Sequence, residues 1–349
     1  MASLAKADLT HVLDRTRDVW DDMRGAELFI TGAGGFVGSW LLETLLFANG
    51  ELKLGVRATA LVRDAARFTR HLPHLAASPA VRLQTGDVRT ASAPAGGATH
   101  VVHCASALPP RVNEERPDEV VDIIERGTAR MVAEAAHSRG ARFLQMSSGS
   151  VYGPQPAELR RMSEEFSGAA SAADPAQRFG AAKRRAEQHG EAAAARGVRF
   201  VSARMFALVG PRLPLDGQFA LGNFFGDALA GRPVRLSGDG TPVRSWMHAA
   251  DMAAWCWTLL VRGKAGAAYN VGSEDERTLW DAAQRVAALP SPPVHAERAR
   301  EPDAASRPSR YVPSIQRARD ELGLDAWIPL DDALRRTWHW LRAGDIATG

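Results

Sequence analysis

The sequence predicts an α/β fold built on a parallel sheet with helices on both faces, and three observations carry that prediction. Short apolar, strand-like runs alternate with segments of helical periodicity through the first half of the chain. A glycine-spaced turn, Gly32-Ala33-Gly34-Gly35-Phe36-Val37-Gly38, stands directly between the first strand and the first long helix. The length of 349 residues, 45% of them apolar and 24% charged, suffices for one large core with a smaller appended region.

Residues 8–24 carry Leu9, Val12, Leu13, Val19, Trp20 and Met23 at helical spacing, so residues 1–25 are expected to form an amphipathic helix packed on the main domain. Strands follow at 27–31, 57–62, 81–84, 100–103 and 142–146, with helices at 39–48, 117–138 and 177–196. In the helix at 39–48, Trp40, Leu41, Leu42, Leu45 and Leu46 turn inward. Residues 26–206 therefore form the sheet domain. Beyond a sixth strand at 200–204 the texture changes. Gly210-Pro211, Gly231-Arg232-Pro233 and Gly238-Asp239-Gly240 punctuate shorter elements, which makes 207–349 mainly a smaller C-terminal substrate-binding region, part of which returns to the sheet. An exposed loop is expected at 291–309, and helices at 279–288, 314–322 and 330–341.

Composition narrows the function classes. No apolar run reaches the ~18 residues that a membrane span needs, and the first residues lack a signal-peptide core, so a cytoplasmic protein with no membrane partner is expected. The two cysteines, Cys104 and Cys256, lie in apolar stretches without metal-ligand spacing, which fits a reduced compartment and no metal centre. A net charge of +3 with scattered arginines argues against nucleic acid and suits a small anionic ligand.

Three glycines spaced three apart, after a strand and opening a helix, let the backbone approach a pyrophosphate and aim helix N–H groups at it. Gly32, Gly35, Phe36, Val37 and Gly38 are thus predicted to hold a dinucleotide, and the sheet becomes a Rossmann-type, doubly wound one. At the end of the second strand an acidic residue would accept from the adenosine ribose hydroxyls, whereas Arg63 stands there and suits a 2′-phosphate. NADP is favoured over NAD on that residue; Asp64, next in the chain, would serve NAD.

Two further stretches complete the pattern: Ser147-Ser148-Gly149-Ser150-Val151-Tyr152-Gly153, and Phe179-Gly180-Ala181-Ala182-Lys183. With the glycine turn they resemble the extended short-chain dehydrogenase/reductase family, in its sugar-nucleotide epimerase/dehydratase branch. The resemblance runs from Glu27 to about Leu341. It implies that Ser148 and Lys183 belong to a relay in which a serine and a tyrosine hold the reacting sugar hydroxyl, while the lysine lowers the phenol's pKa and binds the nicotinamide ribose. Phe179 occupies the tyrosine position and has no hydroxyl. Loss of a general base typically slows turnover by ~10²–10⁴-fold. An engineered Tyr-to-Phe change, a natural enzyme with another base, and a binding-only descendant would each account for it.

The resemblance further implies that Asp87, with Val88, meets the adenine, that Ala105 skirts the nicotinamide, and that Asn223, Arg244 and Arg310 hold the substrate diphosphate. Tyr152, His103, His248 and Asp251 read as structural. Ala207 stands where the family's Arg-x-Phe-Asn places an asparagine that touches substrate. Family dehydratases carry an Asp-Glu pair between the serine and Val-Tyr-Gly, and decarboxylases a Glu; Gly149-Ser150 supplies neither acid. What remains is hydride transfer at one carbon of a nucleotide sugar. The expected activity is a 4-epimerase, with a 4-ketoreductase as the alternative, then a 4,6-dehydratase- or decarboxylase-like enzyme, then a non-catalytic NAD(P)- or metabolite-binding protein. The helices at 117–138 and 177–196 match those through which family members dimerise, so a homodimer is expected.

Overall fold

The computed structural model describes residues 1–106, 115–138, 140–217, 219–303 and 307–346. Its centre is a seven-stranded, wholly parallel sheet in which β1 (Glu27–Thr31), β2 (Arg57–Val62) and β3 (Val81–Thr85) run to one edge. β4 (His100–His103), β5 (Arg142–Ser148) and β6 (Arg199–Met205) run to the other side of β1. The chain thus reverses its winding between β3 and β4. That places a crevice outside the carboxyl ends of β1 and β4, where open sheets of this kind bind ligands.

After β6 the chain forms β7 (Leu208–Val209), β8 (Val234–Leu236), β9 (Val243–Arg244) and β10 (Met247–His248), then returns to the sheet as β11 (Ala268–Val271), which pairs with β6. β12 (Arg277–Thr278) and β14 (Arg310–Tyr311) flank β9 in a small sheet, and β13 (Ala296–Arg298) pairs with β8. The last pairing corrects the expectation of a plain loop at 291–309: Ala296, Glu297 and Arg298 hydrogen-bond in parallel register with Val234, Arg235 and Leu236.

The leading segment is also not one helix. Lys6–Arg15 is helical, the chain turns at Thr16, and Trp20–Met23 resumes as a single tight turn. Thr16 explains the break, because its hydroxyl donates to the Val12 carbonyl and accepts the Trp20 indole N–H at 2.9 Å. Both pieces pack beneath the helix Ala249–Arg262, which is buried along every face from Ala249 to Val261. A helix apolar all round has no amphipathic stripe, so periodicity did not predict it. Trp257 in this helix donates to Thr44 Oγ1 at 3.0 Å and ties it to the helix Phe36–Leu52.

The two regions are joined by buried polar contacts. Glu43 accepts from the Leu4 backbone N–H at 2.8 Å, faces His74 at 3.0 Å, and pairs with Arg212, whose side chain is 1% exposed. Asp251 bridges His11 at 2.7 Å and the Ile328 N–H at 2.8 Å, the structural part expected of it.

Candidate active site

The glycine turn owes its shape to residues that leave no room for side chains. Gly32 adopts φ +65°, and a Cβ there would sit 2.7 Å from the Ala105 nitrogen. A Cβ on Gly38 would meet the Gly32 carbonyl oxygen at 2.3 Å. Gly35 stands just before the helix Phe36–Leu52 and gives it no side-chain cap, and the first-turn N–H groups of a helix have no intrahelical partners. These features fit a dinucleotide pyrophosphate on the helix N-terminus, whose aligned peptide dipoles favour negative charge.

Around this turn the other expected cofactor residues are distributed unequally. Ala105 donates its N–H to Thr31 Oγ1 at 3.1 Å and abuts the turn. Arg63 is exposed at the end of β2, while the Asp64 carboxylate is engaged as a helix cap by the Arg67 N–H at 2.9 Å. Asp87 pairs with Arg89, whose hydrogen bonds hold the Asp87 carboxyl below its usual range, and Arg89 also reaches Asp122 at 2.8 Å. The Val88 side chain is buried against Gly127.

Ser148 and Lys183 line one cavity of about 860 Å³ together with Phe36, Val37, Cys104, Phe179, Phe206 and Tyr311. Ser148 ends β5, and its Oγ accepts from both the Ser150 hydroxyl, at 2.8 Å, and the Ser150 N–H, at 3.1 Å. Lys183 lies one helical turn beyond Phe179 on the helix Arg178–Ala194, which is why both face the same cavity. Its ammonium donates to the Met146 carbonyl at 2.6 Å, and burial pushes its pKa down to about 8. The Phe179 ring packs with Val120, Ile124, Ala182 and Ala186, its centroid 5.8 Å from Lys183 Nζ.

Asn223, Arg244 and Arg310 are not among the residues lining this cavity. Asn223 Nδ2 donates to the Gly217 carbonyl at 2.9 Å, and Arg310 pairs with Glu276. Arg244 donates to the Val243 and Ser309 carbonyls at 2.8 and 3.2 Å and lies beside Tyr311, its register partner. Tyr152 is buried, donating to Asn270 Oδ1 at 2.8 Å and accepting from Arg204 at 2.9 Å, an arrangement that ties the turn after β5 to β11 and β6. His103 is likewise enclosed between the Thr31 and Thr128 hydroxyls, and burial pushes its pKa down to about 3.

Tyr311 was not singled out from the sequence. Its ring stacks on Phe206 at 4.5 Å, and its hydroxyl donates to the Met205 carbonyl at 3.3 Å. A Cβ at Gly149 would come within 2.7 Å of that hydroxyl. The available signal was the glycine itself: a family position for an acid, left without a side chain, makes room for another group.

The sequence pattern of the NAD dependent epimerase/dehydratase family matches residues 28–272, from β1 through the return strand β11. The chain belongs to that family. Among relatives, it is 28% identical over 316 residues to UDP-glucuronic acid decarboxylase 1 of Arabidopsis thaliana, covering 88% of this chain and 68% of the relative. The fold is that of an epimerase from Methanothermobacter thermautotrophicus, with a TM-score of 0.79, 22% identity, and 96% and 97% of the two chains covered. It is also that of UDP-glucuronic acid 4-epimerase from Bacillus cereus, solved with UDP-glucuronic acid and NAD, with a TM-score of 0.74, 19% identity, and 91% and 99% covered. In this epimerase/dehydratase chain the glycine turn lies within the matched residues, as do Ser148, Phe179 and Lys183. No helix among the described residues is long and apolar enough to cross a membrane.

Proposed function

We propose that the protein transfers a hydride at C4 of a nucleotide-linked sugar, using NADP or NAD. The convergence of Ser148 and Lys183 with Phe36 and Val37 on one cavity carries this reading. A bound nicotinamide dinucleotide would supply the hydride chemistry. The chain's own residues hold its pyrophosphate at the glycine turn, its ribose at Lys183, and the sugar oxygen at Ser148. The exposed Arg63, with Asp64 already engaged as a cap, favours NADP.

Reduction of a 4-keto sugar is the direction that the geometry supports best. Oxidising a sugar alcohol needs a base at the position where Phe179 has only carbon, whereas reducing a ketone needs only a proton donor. Epimerisation at C4, which the sequence placed first, runs the same step both ways. It stays as the second reading because glycine turn, Ser148 and Lys183 are all retained. Arg244, Asn223 and Arg310 remain proposals for the diphosphate, Arg244 foremost because it borders Tyr311. A cytoplasmic homodimer through the helices Pro117–Ala136 and Arg178–Ala194 completes the reading, and molar mass in solution checks the dimer.

Mass spectrometry of nucleotides co-purified with the protein tests the substrate class: a pyrophosphate-linked sugar supports it, and retention of free sugars or lipids alone refutes it. Phe179→Tyr separates enzyme from sensor. Turnover of a nucleotide sugar by the native chain or this variant supports the enzyme, and inertness of both with intact cofactor binding supports a binding protein.

A further inference from the structure

We propose that the Tyr311 hydroxyl is the proton donor of this site, taking over the part that Phe179 cannot perform; the inference rests on the hydride-transfer reading above. Tyr311 lines the same cavity as Ser148 and Lys183, and is one of only three tyrosines in the chain. The other two are committed elsewhere: Tyr152 to Asn270 and Arg204, and Tyr269 to Glu321 at 2.6 Å. The Tyr311 hydroxyl donates to the Met205 carbonyl across a long 3.3 Å bond. A stronger acceptor in the cavity, such as a developing sugar alkoxide, would compete well for that proton.

The surroundings of the oxygen suit a group that gives up a proton. The Gly149 backbone lies against it, a Cβ there being 2.7 Å away, and hydrogen bonding from Ser148, Gly149 and Ser150 together with the Arg244 charge draws the phenol's pKa down against burial. Each of these stabilises negative charge, as donors aimed at a developing oxyanion do. Burial nevertheless pushes the phenol up to about 12, so at neutral pH it carries its proton and acts as an acid rather than as a resting base. Gly149 is the residue that allows this position, since a side chain there would occupy the hydroxyl's place.

The step balances simply. A bound reduced nicotinamide would supply the hydride to the carbonyl carbon, and the C=O π pair would then rest on the sugar oxygen as the base that Tyr311 meets. The Tyr311 O–H bond breaks, a new O–H bond forms on the sugar, and the phenolate regains a proton from water.

The test compares the native protein, Tyr311→Phe, Phe179→Tyr and the double variant, with UDP, UDP-glucose and a UDP-linked 4-keto hexose as probes. Calorimetry without cofactor is the first readout. Native protein and Tyr311→Phe should bind UDP equally, while UDP-glucose binds about fivefold more weakly to the variant for loss of one hydrogen bond. With the 4-keto probe and NADPH, Tyr311→Phe should lower kcat by ~10²–10⁴-fold with KM little changed, and adding Phe179→Tyr should restore much of it. Unchanged UDP-glucose affinity and kcat in Tyr311→Phe overturn the proposal. So does a native protein that binds UDP-glucose but turns nothing over, whether or not Phe179→Tyr activates it. Failure of the native protein to bind either UDP or UDP-glucose instead sinks the nucleotide-sugar reading, and the Tyr311 proposal with it.

Discussion

Lys183 places its ammonium 2.6 Å from the carbonyl oxygen of Met146, inside the protein, with 3% of the residue exposed. One hydrogen bond to a neutral carbonyl does not offset the desolvation of a charge, which is why the pKa falls from 10.5 to about 8. Below pH 8 both the folded and the unfolded chain carry the proton, and the fold bears the full penalty. From about pH 8 upward the unfolded chain binds more protons than the folded one, so stability should rise with pH. The whole shift corresponds to about 3 kcal/mol. Urea unfolding between pH 7.5 and 8.5 should show the rise, below the range where the thiols of Cys104 and Cys256, pushed up by burial in the fold, ionise in the unfolded chain and reverse the slope; Lys183→Met should flatten it. A native slope that persists in the variant would assign it to other groups.

Arg212 and Glu43 form an ion pair with side chains 1% and 7% exposed. Removing the guanidinium leaves a buried carboxylate with, among the described residues, His74 and one backbone N–H. Arg212→Met is expected to destabilise the fold by about 3–5 kcal/mol, and Arg212→Met with Glu43→Leu by much less. Denaturant midpoints of the two variants decide it; equal losses would show that packing, not the stranded charge, is responsible.

The glycine cradle gives a graded prediction. Gly38→Ala drives a methyl into the Gly32 carbonyl at 2.3 Å and should cost about 1–3 kcal/mol while abolishing NAD(P) binding. Gly34→Ala meets only Phe68 Cδ2, at 3.4 Å, and should leave stability near that of the native chain. Thermal unfolding and cofactor titration by fluorescence read both.

At Gly149 an added methyl would approach the Phe206 ring to 2.5 Å and the Tyr311 hydroxyl to 2.7 Å. Gly149→Ala should therefore displace Tyr311 and suppress turnover while cofactor affinity, set at the glycine turn, stays unchanged. Equal kcat values for Gly149→Ala and the native protein would count against the placement of Tyr311.

Much of this architecture was legible because local spacing encodes it. The strands β1, β2 and β4 fall at the residues expected, since short apolar runs bounded by turns have few other places to go. The helix Ala249–Arg262 escaped notice because burial on all sides erases the periodicity by which helices are recognised. Thr16 split the leading helix through a side-chain hydrogen bond that competes with the backbone.

By itself the sequence determined the glycine turn, the serine, the lysine and the absent phenol, because each depends on neighbours within a few residues along the chain. What stands beside them was decided by tertiary structure. Tyr311 reaches Ser148 because β14 pairs with β9 and stacks its ring on Phe206, and Arg310 is drawn to Glu276 by the same pairing. Contacts between segments so distant in sequence follow from how strands pair and cores close, and no local period records them.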